Sequence, residues 1–388
     1  MSDSYHHTHP IFTSNYPWNQ RGSITLMPTP ERTGALAQYT GEGVTLAFID
    51  SGFYAHPDLQ GRIQVHVDAT TDLVVEGQAI PKSQAYSWHG QMTSVIAAGD
   101  GSKSGGRYRG IASSAQLVLI KVSDERNRVK EADILRGLRW LQANHGRYNV
   151  RVVNLSVGGD HVSYDPYHPL HEAVRDLVQS GVTVVAASGN RGMDYVVPPA
   201  SAAQAITVGG VDDNNTRDRG EWMLYNHNYG MGYDGSTKPD ILAPARWIAS
   251  PILPSTQVAM EAFWLGPLLE DNAEHPVRKL LHEGRADRGL RKLFGDGFNE
   301  NLYGTLQERI YQHKIIDAFH QHVDGTSVAA AILTSVVAQV LQANPRLSPY
   351  EVRRVLKQSA ERIHNFPDER QGAGVVNPAE AVYLAERT

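Results

Sequence analysis

Ser327 lies in a turn of small residues that leads directly into an apolar stretch. The turn runs from Asp324 to Ala331, and the apolar stretch continues from Ile332 to Leu341. A serine hydroxyl is a weak nucleophile until a neighbouring base activates it. At the start of a buried helix it would face free backbone N–H groups and the positive end of the helix dipole, which stabilise a forming negative charge. The sequence therefore predicts a nucleophile at Ser327, with a helix N-cap residue as the alternative interpretation.

Two other side chains could activate such a serine. Asp50 ends a buried-strand pattern, which would place its carboxylate in the crevice where doubly wound sheets bind ligands. A turn or helix-cap aspartate is the alternative. His89 opens a pattern in which Met92, Val95 and Ile96 share one helix face. A helix N-terminus disfavours a charged imidazole, so we expect a neutral ring that accepts a proton near pH 7, with a structural histidine as the alternative.

An asparagine amide completes the set. Asn190 follows a buried-strand pattern that ends at Ala187, where its side chain could point an uncharged donor at a developing oxyanion. A turn asparagine is the alternative. Aspartate, histidine and serine occur in that order, which differs from the order in chymotrypsin-like enzymes and in α/β-hydrolases. Ser327 also lacks the Gly-x-Ser-x-Gly elbow of esterases and lipases. Together the four residues indicate nucleophilic catalysis at one end of one sheet.

Short β-branched runs alternate with amphipathic helical patterns from about residue 41 onward. Strands are expected at residues 44–49, 117–122, 150–157, 182–187 and 205–211, and helices at 132–144, 168–180 and 348–363. Near the C-terminus a short closing strand is expected at 374–377, followed by a last helix from Pro378. The alternation predicts an α/β fold, with a doubly wound, mostly parallel sheet and helices on both of its faces.

Residues 252–316 lose this alternation. They hold an apolar run, a charged stretch, and a helical pattern from Leu302 to about Ile316, in which Leu302, Leu306 and Ile310 recur every four residues. We interpret this region as a helical insertion just before the serine turn. A lid or docking surface that restrains activity or selects substrates, and a packed structural excursion, are both open. The predicted organisation is an N-terminal arm at 1–40, a catalytic domain at 41–251 and 317–388, and the insertion at 252–316.

The composition bounds the function classes. The chain has 388 residues, of which 41% are hydrophobic and 20% charged, so it can bury a sizeable core. Its net charge of −5, with no long basic run, argues against nucleic-acid binding. The lack of cysteine excludes disulfides, cysteine nucleophiles and thiolate metal ligands. No signal-peptide pattern and no apolar run of about 18 residues is visible, so we expect no membrane span and a cytoplasmic location.

From about Gly41 to Asn377, apart from the insertion, the chain resembles the subtilisin-like serine proteases, or subtilases. The likeness rests on Ile49 to Gly52, His89-Gly90, Gly110 to Ala112, Asn154 to Gly159, Ala187 to Asn190, Lys238 to Pro244, and Gly325 to Ser327. The resemblance implies Ser327 as nucleophile, His89 as general base and then acid, and Asp50 as the group that orients the imidazole. It also implies that Asn190 and the Ser327 backbone N–H bind the oxyanion.

The same resemblance implies the substrate and the activity. A peptide or protein would be hydrolysed internally through an acyl-enzyme, with no cofactor needed for the chemistry. Ser156 to Gly158 would pair with the substrate backbone. If Val197 lies near the pocket floor, it would favour small or medium apolar side chains. The substrate-binding residues implied are Ser156, Val157, Gly158, Ala187, Ser188 and Gly189.

Calcium and two other functions complete the expectations. Calcium is implied by the resemblance as a structural ion, and the polar turn from Asp212 to Asn215 is a candidate for holding it, with a solvated turn as the alternative. One alternative function is a degenerate subtilase that binds peptides without cutting them. The other is a peptide ligase or cyclase that uses the same acyl-enzyme.

Overall fold

The fold alternates strands and helices along most of the chain. The computed structural model describes residues 25–77, 79–265 and 300–388. The strands are β1 (Thr45–Asp50), β2 (Ile63–Asp68), β3 (Val75–Glu76), β4 (Gln116–Lys121), β5 (Val150–Leu155), β6 (Thr183–Ala187), β7 (Ile206–Asp212), β8 (Met223–Leu224), β9 (Gly230–Met231), β10 (Thr237–Lys238), β11 (Ile241–Pro244), β12 (Ile248–Pro251) and β13 (His320–Val323). The helices are α1 (Thr29–Thr33), α2 (Ser87–Ala98), α3 (Glu131–Asn144), α4 (Pro169–Gln179), α5 (Gln257–Leu265), α6 (Glu300–Gln312), α7 (Thr326–Ala343), α8 (Pro349–Ser359), α9 (Asp368–Gln371) and α10 (Pro378–Arg387).

A nine-stranded sheet forms the centre of the fold. Its strand order is β11-β7-β6-β5-β1-β4-β2-β3, and β8 pairs with β7 outside this path. The strands from β11 to β2 pair in parallel, whereas β3 and β8 are antiparallel additions. The predicted α/β fold with a mostly parallel sheet is confirmed, and the five strands expected from the sequence correspond to β1, β4, β5, β6 and β7.

The two faces of the sheet bury different helices. Along β1, Leu46 and Phe48 pack into a core cluster that includes α2 and α7. Ala47 and Ile49 face the opposite way and pack with α3 and α4. This alternation is the two-residue period of a strand, and each large apolar side chain buried in this way contributes about 1.5–3 kcal/mol. The sheet is thereby fixed in position between two layers of helices.

Helix α7 runs through the core and carries Ser327 in its first turn. Its 18 residues have a mean hydropathy of 1.6, so by length and composition it is the one helix in the described ranges that could cross a membrane. However, 83% of it is buried inside the protein, where it packs against β5, β6, β7 and β11. The expectation that no apolar run reaches this length is therefore wrong, and burial within the fold accounts for the apolar composition.

Two C-terminal predictions also differ from the structure. The capping box at Ser348 forms as expected, but α8 ends at Ser359 because Ala360 is extended and Glu361 bridges to Val375. The expected strand at 374–377 is reduced to isolated bridges of Val375 with Glu361 and Leu242. Both differences have one cause, because the bridge between Glu361 and Val375 ends α8 and replaces the expected strand.

The predicted insertion begins and ends on a pair of antiparallel strands. Ile248 on β12 pairs with Val323 on β13, and α5 and α6 are linked by an ion pair between Glu261 and Arg309. Helix α6 ends at Gln312, four residues before the expected end. The apolar side chains here form a cluster separate from the main core: Leu26, Trp247, Ile252, Ala262, Leu265, Leu306, Ile310, Ile315 and Ile316. Residues 266–299 and the Leu302 side chain lie outside the description, so the boundaries 252–316 stay a prediction.

The N-terminal arm is described only from residue 25. Leu26 is buried in the cluster just named, and Arg32 is 3% exposed. The Arg32 guanidinium pairs with Asp213 and donates to the Trp247 carbonyl. Residues 25–40 therefore pack on the body of the protein, while residues 1–24 of the predicted arm lie outside the described ranges.

Candidate active site

Asp50 is held rigidly at the carboxyl end of β1, in the interior of the sheet. Its side chain is fully buried and accepts three hydrogen bonds. Oδ1 accepts from the Ser51 backbone N–H at 2.7 Å and from His89 Nδ1 at 2.6 Å, and Oδ2 accepts from Thr93 Oγ1 at 2.9 Å. A carboxylate bound on both oxygens cannot turn away from the ring it faces, so Asp50 is more than a turn or cap residue.

His89 bridges Asp50 and Ser327. It is the third residue of α2, and its Nε2 lies 3.1 Å from Ser327 Oγ. Because the Asp50 carboxylate accepts from Nδ1–H, the lone pair of a neutral ring is left on Nε2, where the serine hydroxyl donates. Gly90 permits this approach, since a Cβ there would stand 2.1 Å from the Gly52 carbonyl oxygen. The structure thus joins three of the four predicted residues in one hydrogen-bonded chain.

Thr93 is a site residue that the sequence argument overlooked. Its hydroxyl donates to Asp50 Oδ2 and also lies 3.2 Å from the Gly90 carbonyl. The signal was present in the sequence, because Thr93 follows His89 by four residues on one helix and so shares its face. Thr93 fixes the carboxylate oxygen that His89 leaves free.

Ser327 is the second residue of α7 and is 8% exposed. The N-cap of the helix is Gly325, and no side chain caps that end, so the N-cap interpretation of Ser327 is wrong. Gly325 has φ +145°, a value that favours glycine over residues with a side chain. This turn lets the serine enter the helix with its hydroxyl directed at His89.

Two N–H donors lie beside Ser327 with no partner in the part of the chain that is described. Asn190 Oδ1 accepts from Thr326 N at 2.8 Å and from Thr326 Oγ1 at 3.0 Å. These bonds occupy the amide oxygen and leave the Nδ2 group as a donor for another acceptor. The backbone N–H of Ser327 belongs to the unpaired first turn of α7. A Cβ built on Gly325 would lie 3.6 Å from Asn190 Nδ2 and 3.9 Å from Ser327 N, so both donors border the same small space.

The protonation of His89 is set mainly by two opposing effects. Burial of the ring favours the neutral form, but the charge of Asp50 and its hydrogen bond outweigh burial, so the pKa of His89 is raised above its ordinary 6.5. The helix start alone predicted the opposite influence. The expectation of a ring kept neutral by the helix N-terminus is therefore corrected. The full negative charge of Asp50, 2.6 Å from the ring, stabilises the charged imidazole more than the partial charge of the helix N-terminus destabilises it.

The six predicted substrate-binding residues follow two neighbouring strands. Ser156 to Gly158 come directly after β5, and Ala187 to Gly189 end and follow β6, which pairs in parallel with β5. The Ser156 hydroxyl lies 3.5 Å from the Ser327 carbonyl oxygen, and the Gly189 N–H donates to Thr326 Oγ1 at 3.1 Å. Both segments therefore border the nucleophile.

Val197 lies against the first of these two segments. A Cβ built on Gly158 would stand 3.3 Å from Val197 Cγ2, and the Gly159 N–H donates to the Pro198 carbonyl at 2.7 Å. The valine methyl therefore occupies the space next to the Gly158 backbone.

The turn from Asp212 to Asn215 does not fit calcium. Asp213 is ion-paired with Arg32, and Asp212 with Arg246. Asn215 accepts from the Met27 N–H and donates to the Thr25 carbonyl, as a strand partner would. Among the described residues no group of three or more His, Asp or Glu side chains is arranged to hold a metal ion. The turn instead anchors the N-terminal segment.

Comparison with known proteins gives one family. The model of the Subtilase family matches residues 41–374. Serine protease AprX of Bacillus subtilis (strain 168) is 30% identical over 353 residues, which cover 88% of this chain and 67% of that protein. Subtilisin BL of Lederbergia lenta is 36% identical over 179 residues, which cover 46% of this chain and 59% of that protein.

Solved structures agree on the fold. Sphericase superposes with a TM-score of 0.63 at 17% identity, covering 91% of this chain and 99% of that one. Fervidolysin from Fervidobacterium pennivorans, described as a keratinolytic enzyme related to subtilisin, superposes with a TM-score of 0.63 at 21% identity, covering 96% of this chain and 48% of that one. With the family model matching most of its length, the chain belongs to the subtilase family of serine proteases.

Proposed function

We propose that the protein is a serine endopeptidase in which Ser327 is the nucleophile, His89 the general base and Asp50 the orienting carboxylate. The observation that supports this most strongly is the continuous set of hydrogen bonds from Asp50 Oδ1 through both ring nitrogens of His89 to Ser327 Oγ, at 2.6 and 3.1 Å. Both distances lie within hydrogen-bonding range, and the second places Nε2 within reach of the serine proton.

The first step of the reaction forms a tetrahedral intermediate on Ser327. Ser327 Oγ attacks the scissile carbonyl carbon as its proton moves to His89 Nε2, and Asp50 stabilises the imidazolium that results. The negative charge that develops on the carbonyl oxygen is bound by Asn190 Nδ2 and the Ser327 backbone N–H. Such donors act where charge forms in the transition state, so they lower the barrier rather than merely bind substrate.

The following steps form the acyl-enzyme and release both products. His89 donates its proton to the amine of the leaving peptide as the tetrahedral intermediate collapses to an ester on Ser327. Water then gives a proton to His89 and attacks the ester carbonyl. The second intermediate collapses to the free acid as His89 returns that proton to Ser327 Oγ. The His89 side chain is 28% exposed, which leaves a route for this water.

The two alternative functions have less support. A degenerate peptide-binding protein is disfavoured because Asp50, His89 and Ser327 form one hydrogen-bonded set. The Asn190 amide lies beside that set. A ligase or cyclase needs the acyl-enzyme shielded from water until an amine attacks, whereas His89 is partly exposed among the described residues. Mass spectrometry of the products of a peptide substrate tests the choice, because hydrolysis adds one water per cut and transpeptidation adds none.

The specificity pocket provides the first prediction. A peptide library should show cleavage after small or medium apolar residues, because Val197 occupies the space beside Gly158. Val197→Ala should raise kcat/KM for leucine or phenylalanine relative to alanine by about 10-fold, since it removes two methyl groups from the pocket. The matched control is Val196→Ala, a buried neighbour that is 1% exposed and should leave this ratio unchanged. An unchanged ratio in Val197→Ala would remove that residue from the pocket.

The pH dependence of the rate provides the second prediction. Only neutral His89 can accept the serine proton, so kcat/KM should fall as the pH drops through the pKa of His89. Because Asp50 raises that pKa above 6.5, the midpoint of the acidic limb should lie above 6.5. The measurement is kcat/KM of a neutral peptide ester from pH 5 to 9. A rate that stays flat down to pH 5 would contradict the role of His89.

A further inference from the structure

The turn that carries Ser327 is held by residues within and next to the predicted insertion at 252–316. Asp324 lies three residues before the nucleophile, and its carboxylate accepts two hydrogen bonds. Oδ1 accepts from the Trp247 backbone N–H at 2.8 Å, and Oδ2 accepts from Lys314 Nζ at 2.8 Å. The next residue, Gly325, donates its N–H to the Ala245 carbonyl at 2.8 Å. The position of the turn therefore depends on where Lys314 and Trp247 stand.

Lys314 is itself fixed by the backbone around it. It follows α6 in a left-handed conformation with φ +54°, which is uncommon for a residue with a side chain. Its carbonyl accepts from the His322 N–H on β13 at 2.8 Å, and its own N–H donates to the Tyr311 carbonyl at 3.1 Å. The lysine thus joins the end of α6 to the strand that runs into the serine turn.

The predicted insertion also contacts the histidine side of the site. The Ser83 hydroxyl, on the loop that leads into α2, donates to the Pro254 carbonyl. Strand β12 packs against α2, the helix that carries His89. The start of this region therefore contacts the segment that leads to His89, and its end at Lys314 contacts the turn before Ser327.

We propose that Lys314 is a positioning residue, which acts through its ion pair with Asp324 to hold Ser327 Oγ within reach of His89. The inference rests on the proposed function and adds to it a role for the region at 252–316. The end of this region, at Lys314, holds the serine turn in place. This role differs from the lid hypothesis because the contact lies behind the nucleophile, along the chain, and not over the substrate.

The ion pair is suited to positioning more than to stability. The Lys314 side chain is 47% exposed and that of Asp324 25% exposed, and pairs of this kind add little to the free energy of unfolding. Burial would raise the pKa of Asp324. The charge and hydrogen bond of Lys314, with smaller effects from the Trp247 N–H and His322, outweigh burial and keep the pKa below its ordinary value, so the carboxylate stays charged. Without the lysine, this charge would be drawn toward water and would pull on the turn.

The test compares Lys314→Met with Lys314→Arg in the full chain. Lys314→Met should lower kcat by about 10-fold with KM unchanged, because a small displacement of the nucleophile slows acylation while the substrate segments stay in place. Lys314→Arg should restore the rate, since it can still pair with Asp324. The matched control is Gln312→Met, an exposed residue at the end of the same helix, which should match the wild type.

Two further measurements keep the inference falsifiable. Hydrogen exchange of the peptide covering 324–327 should become about 10-fold faster in Lys314→Met and not in Gln312→Met. This measurement needs no turnover. It therefore tests whether the Lys314–Asp324 ion pair holds the turn even if wild-type Ser327 fails to react with a fluorophosphonate and the proposed function is lost. The kcat losses of Lys314→Met and Asp324→Asn should not add in the double variant. Unchanged exchange, or losses that add, would overturn the proposal.

Discussion

Replacement of Ser327 by alanine should abolish covalent labelling by a fluorophosphonate and reduce kcat by about 10⁶-fold, the size of loss that subtilisin shows when its own nucleophile is removed. The physical reason is that no other hydroxyl lies at hydrogen-bonding distance from His89 Nε2 in the described part of the site. The loss should appear in kcat, because the substrate segments after β5 and β6 are untouched. The measurements are active-site labelling followed by mass spectrometry, and single-turnover hydrolysis of a peptide.

A matched serine-to-alanine control is available on the same helix. Ser335 is fully buried in α7, and its hydroxyl donates only within the helix, to the Ile332 carbonyl at 2.6 Å. Ser335→Ala should label at the wild-type rate, and both variants should retain the wild-type circular dichroism spectrum. Persistent labelling of Ser327→Ala would move the nucleophile elsewhere and would contradict the proposed mechanism.

The sequence carried the residue types and their chain positions, and these were enough to predict the fold class. Asp50 could be placed because a polar residue directly after a buried apolar run lies at the carboxyl ends of the strands of a parallel sheet. Its interior position in the sheet could not be read off, since strand order depends on how distant segments pack. The distances among Asp50, His89 and Ser327 follow from that order, which is why only the structure shows one continuous hydrogen-bonded set.

Features that depend on two distant residues were missed or reversed. The pKa of His89 was predicted from its own helix, but the stronger influence is a carboxylate 39 positions earlier in the chain. Lys314 gives no signal in the sequence, because a single lysine after a helix is usually solvated. Its pairing with Asp324 depends on the antiparallel pairing of β12 with β13, which are distant along the chain. Local patterns predict elements well, whereas electrostatics depends on the tertiary contacts between them.

Asp50→Asn should lower kcat/KM by about 10⁴-fold while leaving the fold intact. The asparagine has nearly the same shape, and its oxygen can keep one of the present donors. Its amide, turned toward His89, would donate to Nδ1 and so leave the ring proton on Nε2. A ring protonated there cannot accept the proton of Ser327, so the base is lost although every heavy atom is near its place.

The pH profile separates this effect from simple damage to the site. Without the Asp50 charge, burial alone acts on the ring, so the pKa of His89 should fall and the acidic limb of the residual rate should move to lower pH. The matched control is Asp68→Asn at the end of the nearby strand β2, where the carboxylate pairs with Lys121 at 2.7 Å and touches no catalytic group. Asp68→Asn should keep the wild-type rate and acidic limb. If Asp50→Asn lost less than about 100-fold, or kept the wild-type limb, the carboxylate would not be the group that sets the ring's tautomer and charge.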